Sequence, residues 1–118
     1  MTRYPETPDG RYFVAKARLW RRSDPALSGD VHRDAVRDLM AARRAVRDAD
    51  GPEATATARA RVQDAKERLG ERGPVWWDDG APDLTRHAPW TGPYAAWWRG
   101  LDAAARARGL GGRPDGAG

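Results

Sequence analysis

The 118-residue chain contains no cysteine. Disulfides, thiolate metal sites and cysteine nucleophiles all require that residue, so the sequence excludes each of them. No long apolar run opens the sequence or interrupts it, and we therefore expect neither a signal peptide nor a membrane span. These absences predict a cytoplasmic protein without a membrane partner.

The sequence is also short of large apolar residues other than tryptophan and tyrosine. The sequence has no isoleucine and only one phenylalanine, and so low a content of large apolar side chains approaches that of disordered chains. The six tryptophans and three tyrosines must therefore supply much of the core volume. Each buried aromatic hides on the order of 150–250 Å², so we expect several tryptophans to be structural.

The charge balance is basic, with 21 Lys and Arg against 17 Asp and Glu and a formal net charge of +4. Such a balance favours nucleic acid or another acidic partner. Nearly all of the positive charge is arginine, however, and the chain is rich in Arg, Ala, Gly and Pro, as a GC-rich coding bias also produces. Composition alone leaves both explanations open.

The N-terminal third predicts a flexible start and one strand. Residues 1–10 carry three turn formers and are expected to be flexible. Residues 11–20 alternate as a strand does, and residues 74–77 form the only other strand-like run. The strand needs a partner, which is either that second run or another copy of the chain. An open strand edge would then favour a homodimer. The predicted apolar face of the strand comprises Phe13, Ala15, Ala17 and Leu19.

A helical hairpin is predicted next. Ser28 or Ser23 caps the first helix, a break falls at residues 50–52, and Gly70 ends the second helix. The short connection makes the two helices antiparallel. Their apolar faces follow helical spacing at Ala35, Leu39, Ala42, Val46 and Ala49, and at Ala54, Ala58, Val62, Ala65 and Leu69.

A third helix is expected over residues 94 to about 108, ended by Gly109, with Ala96, Trp97, Leu101 and Ala104 turned inward. Residues 109–118 are predicted to be a disordered tail, and residues 11–108 a single globular domain. The predicted fold class is mainly α with a small β component (α+β): an antiparallel helical hairpin, a C-terminal helix and one or two short strands.

Residues 75–90 concentrate tryptophans, carboxylates, an arginine and a histidine, which is the composition of many binding pockets. Cations interleaved with aromatic rings on the predicted strand are also typical of surfaces that grip phosphates and stack on bases. The leading hypothesis is a non-enzymatic binding module for nucleic acid or another polyanion. Its candidate ligand-binding residues are Lys16, Arg18, Trp20, Trp76, Trp77 and Arg86. The alternative is that the rings cover the core while the arginines face water.

A second hypothesis is a small metal-assisted hydrolase built on the loop of residues 78–87. Its candidate catalytic residues are Asp79, Asp83 and His87, beside Asp78 and Arg86. The loop lacks the ligand alternation of a calcium site, and no nucleophile elbow or glycine-rich phosphate loop occurs. We therefore predict no metal and no cofactor, and the structural alternative is that these acids cap turns or pair with arginines.

A third hypothesis is an adaptor that docks through its helical hairpin. The first helix carries an arginine row beside an aspartate row, which favours a solvated face with local ion pairs over a partner-binding stripe. The arginines are Arg33, Arg37, Arg44 and Arg47, and the aspartates are Asp30, Asp34 and Asp38.

Between residues 11 and 98 the chain contains the segments YFVxKxRLWR at residues 12–21, ARRAV at 42–46, AK at 65–66 and LGERGPVWWxDGxPD at 69–83. Together these segments resemble a group of short, uncharacterised bacterial proteins, some of which carry a "biopolymer transporter" label. The resemblance implies a free-standing bacterial domain and supplies no catalytic residue.

Overall fold

The computed structural model describes residues 3–111, and it has the predicted class, mainly α with a small β component. Within this range the chain forms a two-stranded antiparallel sheet, four α-helices and one turn of 3-10 helix. The elements are β1 (Tyr12–Ala15), β2 (Arg18–Arg21), α1 (Gly29–Asp48), α2 (Pro52–Leu69), the 3-10 turn (Gly92–Tyr94), α3 (Ala95–Gly100) and α4 (Ala103–Leu110).

The described residues form two compact units. The strand unit comprises residues 3–22 and 80–111, and it contains the sheet, α3 and α4. The helical-hairpin unit comprises residues 23–79, with α1 and α2. The single domain predicted over residues 11–108 stays a prediction.

The caps predicted for the helical hairpin are confirmed. Ser28 accepts a hydrogen bond from the Val31 amide at its Oγ, 3.2 Å away, so this residue starts α1. Pro52 occupies the first turn of α2, where its missing N–H costs nothing. Gly70 ends α2 in the left-handed region, at φ 84°, which glycine adopts without strain.

The seam of the hairpin has the predicted helical spacing. Six of the ten predicted apolar positions are buried, and Ala54 is exposed. The central cluster joins two alanines and two leucines, so the helices approach closely while each contact buries little area. The buried positions are Ala35, Leu39, Ala42, Ala58, Ala65 and Leu69.

The predicted strand over residues 11–20 is instead a β-hairpin. Lys16 and Ala17 reverse the chain between β1 and β2, with φ of 51° and 63°. Glycine and asparagine are the residues that usually enter this left-handed region. Neither occurs at this turn, so the sequence gives no signal for it. The single-strand prediction is wrong because the alternation of side chains continues through the turn without a visible break.

The reversal also changes which side chains share a face. Antiparallel partners point to the same side, and the register pairs Val14 with Leu19 and Phe13 with Trp20. The predicted apolar face, which combined Phe13 with Leu19, is therefore wrong. The buried face is formed by Tyr12, Val14, Leu19 and Arg21, each at most 4 % exposed.

Both outer edges of the sheet are covered by other segments of the strand unit. Along β1, the Val14 amide donates to the Pro5 carbonyl, so part of the predicted flexible start of residues 1–10 is ordered. Along β2, the Leu19 amide donates to the His87 carbonyl. Residues 74–77 form no strand. The open edge that favoured a homodimer is thus not present at this hairpin.

The predicted third helix over residues 94–108 is divided in two. α3 ends at Gly100, and Asp102 starts α4 by accepting the Ala105 amide, 2.7 Å away. Trp98 is the buried ring of α3, while Trp97 is only half-buried. Ala96 and Ala104, predicted to turn inward, are exposed.

Gly109 does not end the C-terminal helix, because α4 continues to Leu110. Within the predicted disordered tail of residues 109–118, residues 109 and 110 are helical and the Gly111 carbonyl accepts a hydrogen bond from the Lys16 amide. Residues 112–118 lie outside the described part of the chain. Over residues 3–111, every helix is too short or too polar to cross a bilayer.

Candidate cationic face of the strand unit

The loop that follows residue 80 is held by a buried tyrosine. Tyr12 is 1 % exposed, and its hydroxyl accepts a 2.8 Å hydrogen bond from the Leu84 amide. The same hydroxyl donates to the Pro82 carbonyl at 3.5 Å. The side chain of a β1 residue thus fixes the backbone of the loop, and this positions the residues that follow.

Beyond this anchor the loop runs along the outer edge of β2. The Arg86 amide donates to the Leu19 carbonyl at 2.7 Å, and the Leu19 amide donates to the His87 carbonyl at 2.9 Å. Arg86 has φ 74°, a strained value for a residue with a side chain. The two hydrogen bonds hold the Arg86 backbone in that conformation, beside the exposed face of the hairpin.

Arg18, Trp20 and Arg86 meet on that face. The Arg18 Nη1 donates to the Arg86 carbonyl at 2.9 Å, and the Arg86 guanidinium carbon lies 5.9 Å from the centre of the Trp20 ring. The Trp20 indole N–H donates to the Ala15 carbonyl at 2.8 Å, which fixes the ring on the hairpin. We call these three residues, together with the exposed Lys16 of the adjoining turn, the cationic face.

The positive charge of this face is not neutralised locally. The cations Lys16, Arg18 and Arg86 are exposed, and none forms an ion pair with a carboxylate of residues 3–111. The described strand unit contains ten Arg and Lys against four Asp and Glu, a formal net charge of +6. The helical-hairpin unit has ten against twelve, a net charge of −2. The basic excess of the chain therefore belongs to the strand unit.

Asp83 and His87, two of the predicted catalytic residues, also lie in the strand unit. Asp83 accepts hydrogen bonds from the Thr85 amide at 3.0 Å and from the Thr85 hydroxyl. Burial alone would raise the pKa of Asp83, but these bonds and the charges of Arg21 and His87 lower it. Asp83 thus accepts hydrogen bonds within a turn, as the structural alternative for these acids expects.

The remaining acids of the predicted enzymatic loop belong to the other unit. Asp78 and Asp79 are exposed at the end of the helical-hairpin unit. Across the described residues, no group of three or more His, Asp and Glu side chains is arranged to hold a metal ion.

Trp76 and Trp77 pack within the helical-hairpin unit. Their rings meet edge to face with centres 5.1 Å apart, and Trp77 is only 9 % exposed. A Cβ at Gly70 would lie 3.0 Å from Trp76 Cδ1, so this ring covers the end of α2. The pair therefore supplies the aromatic volume that the aliphatic shortage demanded.

The helical-hairpin unit has a cavity of about 440 Å³ beside the facing surfaces of α1 and α2. Its two carboxylates, Asp38 and Asp64, both pair with Arg68, at 3.0 and 3.3 Å. In the predicted arginine row on α1, Arg33 and Arg37 pair with acids three residues earlier, and Arg47 pairs with Asp48. Local ion pairs thus occupy three of the four arginines of this row, as the sequence favoured.

Two features of the strand unit had no clear sequence signal. Tyr4 stacks on Phe13, with ring centres 6.0 Å apart and an interplanar angle of 25°. Asp9 accepts a short hydrogen bond from the Tyr94 hydroxyl, and that ring meets Tyr12 edge to face at 5.7 Å. Both contacts join positions distant in sequence, which spacing along the chain does not reveal.

Comparisons with protein-family models, curated proteins and solved structures found no match to this chain. The resemblance to short bacterial proteins therefore stays a prediction. Function has to be argued from the geometry of the strand unit.

Proposed function

We propose that this chain is a non-enzymatic binding module for a polyanionic partner, and that the partner contacts the cationic face. The observation that carries the proposal is the grouping of Arg18 and Arg86 around the fixed ring of Trp20. Exposed guanidinium groups without carboxylate partners favour phosphate or carboxylate ligands, because each offers several donors in a planar fork.

The side chains of the cationic face are preorganised, and this supports the proposal. Arg18 is oriented by its bond to the Arg86 carbonyl, and the Arg86 backbone is fixed against β2. Side chains that are already oriented lose less conformational entropy on binding. The net charge of the strand unit adds long-range attraction for an anion.

A titration with inorganic polyphosphate at several salt concentrations, followed by tryptophan fluorescence, tests the proposal. For phosphate contacts, affinity falls steeply as salt rises. The variant Arg18→Gln/Arg86→Gln should bind at least about tenfold more weakly, and its salt dependence should be shallower by about 1 in the log–log slope for each lost contact.

The matched control is Arg44→Gln/Arg59→Gln, which removes the same charge from exposed positions on α1 and α2. It should bind within about twofold of the wild-type chain. Equal losses in both variants would reduce the effect to net charge, and no binding at low salt would refute the proposal.

A further inference from the structure

The cationic face continues into a group of aromatic rings. Trp20 lies directly across the hairpin from Phe13, so the two side chains share one side of the sheet. The Tyr4 ring stacks on Phe13. All three rings are only partly buried, in contrast to the buried side chains on the opposite face of the sheet. Cations and open ring surface therefore occur together.

The Trp20 ring is held as a platform. Its indole N–H donates to the Ala15 carbonyl, and the Arg86 guanidinium carbon lies over the ring, 5.9 Å from its centre. A fixed indole is a large planar surface with little conformational entropy left to lose. A ligand with planar groups would gain from this surface, whereas a simple polyphosphate has nothing to stack on it.

The hairpin is also prevented from acting as a free ribbon. Its two outer edges bond to residues near Pro5 and His87, and the turn amides of Lys16 and Ala17 bond to the carbonyls of Gly111 and Gly109. A two-stranded ribbon reads duplex DNA by entering the major groove. A hairpin enclosed on both edges and at its tip is unsuited to that entry.

We infer that the polyanion bound by the cationic face is single-stranded nucleic acid, with phosphates on Arg18 and Arg86 and a base stacked on Trp20. This inference rests on the proposed function. Proteins that bind single strands without reading sequence combine a positive surface with aromatic rings, because every base offers a π-face. A duplex keeps its bases stacked on one another and so withholds those faces from the rings.

The test compares four probes on the full chain at one salt concentration. They are an oligothymidylate of about ten nucleotides, an abasic strand of the same length, inorganic polyphosphate of similar charge, and a duplex of the same length. The oligothymidylate should bind on the order of tenfold more tightly than the abasic strand. Trp20→Ala should abolish that difference, and Trp20→Phe should restore part of it.

Fluorine NMR on fluorotryptophan-labelled protein gives a readout that does not depend on the folding of the alanine variant. The resonance missing in Trp20→Phe identifies Trp20. Oligothymidylate should shift this resonance, while polyphosphate and the abasic strand should shift it far less. Equal binding of all four probes with an unmoved Trp20 resonance would overturn the inference and leave the proposed function standing. Absence of binding by every probe would overturn both.

Discussion

The amide of Ala17 donates a 2.9 Å hydrogen bond to the carbonyl of Gly109, so the β-turn of the sheet binds the end of α4. The Lys16 amide donates equally to the Gly111 carbonyl. The last carbonyls of a helix have no partner within it, and the turn supplies one donor to Gly109 in the last turn and one to Gly111, the residue that follows the helix. The left-handed conformation of the turn thus orients amides that close the C-terminal helix.

This turn should store backbone strain. Ala17→Gly keeps the amide donor and removes the clash of the Cβ at φ 63°. We expect the free energy of unfolding to rise by about 1 kcal/mol, measured by chemical denaturation. Ala56→Gly, the same change at an exposed position in α2, should instead lower it by about 1 kcal/mol. A loss of stability in both variants would show that the turn is unstrained.

Gly109 should be required by packing. A Cβ there would lie 3.0 Å from Trp98 Cζ3 and 3.1 Å from Val14 Cγ1. Although alanine favours helix, Gly109→Ala should destabilise the chain by about 1–3 kcal/mol, because the core must move to admit the methyl group. Gly100→Ala meets no atom within 4 Å and serves as the control, with a neutral or stabilising effect. Equal melting temperatures for the two variants would contradict the tight contact at Gly109.

The Asp9–Tyr94 hydrogen bond should make stability depend on pH. Burial alone would raise the pKa of Asp9, but hydrogen bonds from Tyr94, Thr7 and Arg11 lower it. A lowered pKa stabilises the fold above the ordinary value of about 3.9, and this contribution is lost as pH falls through the folded-state pKa. The pKa of Tyr94 is raised by burial and by Asp9. The contribution of Tyr94 is therefore present below about pH 10 and lost above it as pH rises through the raised value.

Asp9→Asn removes the acidic half of this linkage. Its free energy of unfolding should fall less than that of the wild-type chain between pH 5 and pH 3, by under about 1 kcal/mol because the site is partly exposed. Tyr94→Phe should flatten the same range, since it removes a hydrogen bond that lowers the pKa of Asp9. Denaturation curves at several pH values measure both, and curves parallel to the wild type would exclude this coupling.

The stability of the helical hairpin should depend on the few leucines of its small core. Leu69 is 1 % exposed and packs in the cluster with Leu39 and two alanines. Leu69→Ala should destabilise the chain by about 2–5 kcal/mol. Leu110, 51 % exposed at the end of α4, is the matched position, and Leu110→Ala should change stability by less than about 0.5 kcal/mol. Similar small losses of stability in both variants would mean that the core of the helical hairpin contributes little to the stability of the chain.

The helical hairpin could be predicted from sequence because its signals are local. Ser28, Pro52 and Gly70 mark ends that depend on one turn of chain, and apolar spacing identifies the buried side. The β-hairpin could not, since the Lys16–Ala17 turn uses residues that normally avoid positive φ. The helix break before Asp102 was missed for a related reason, because alanines continue on both sides of it.

The residues of the candidate site could be named from the sequence, but the contacts between them could not. Lys16, Arg18, Trp20 and Arg86 all belong to the strand unit, and contacts join Arg18, Trp20 and Arg86 as an aromatic–cation grouping. Trp76 and Trp77 are predicted for the same role but belong to the helical-hairpin unit, where their rings contact each other and Trp76 lies close to Gly70. Composition cannot divide tryptophans between core and surface, since burial depends on contacts such as Trp76 with Gly70.

Chemical-shift mapping of a polyphosphate titration at low salt tests the central claim most directly. Labelled amide, arginine Nε–H and indole N–H signals report every element at once. The account predicts that the largest changes occur at Arg18 and Arg86, with little change along α1 and α2. Changes centred on the arginines of α1 and α2, or no change at any residue, would contradict it.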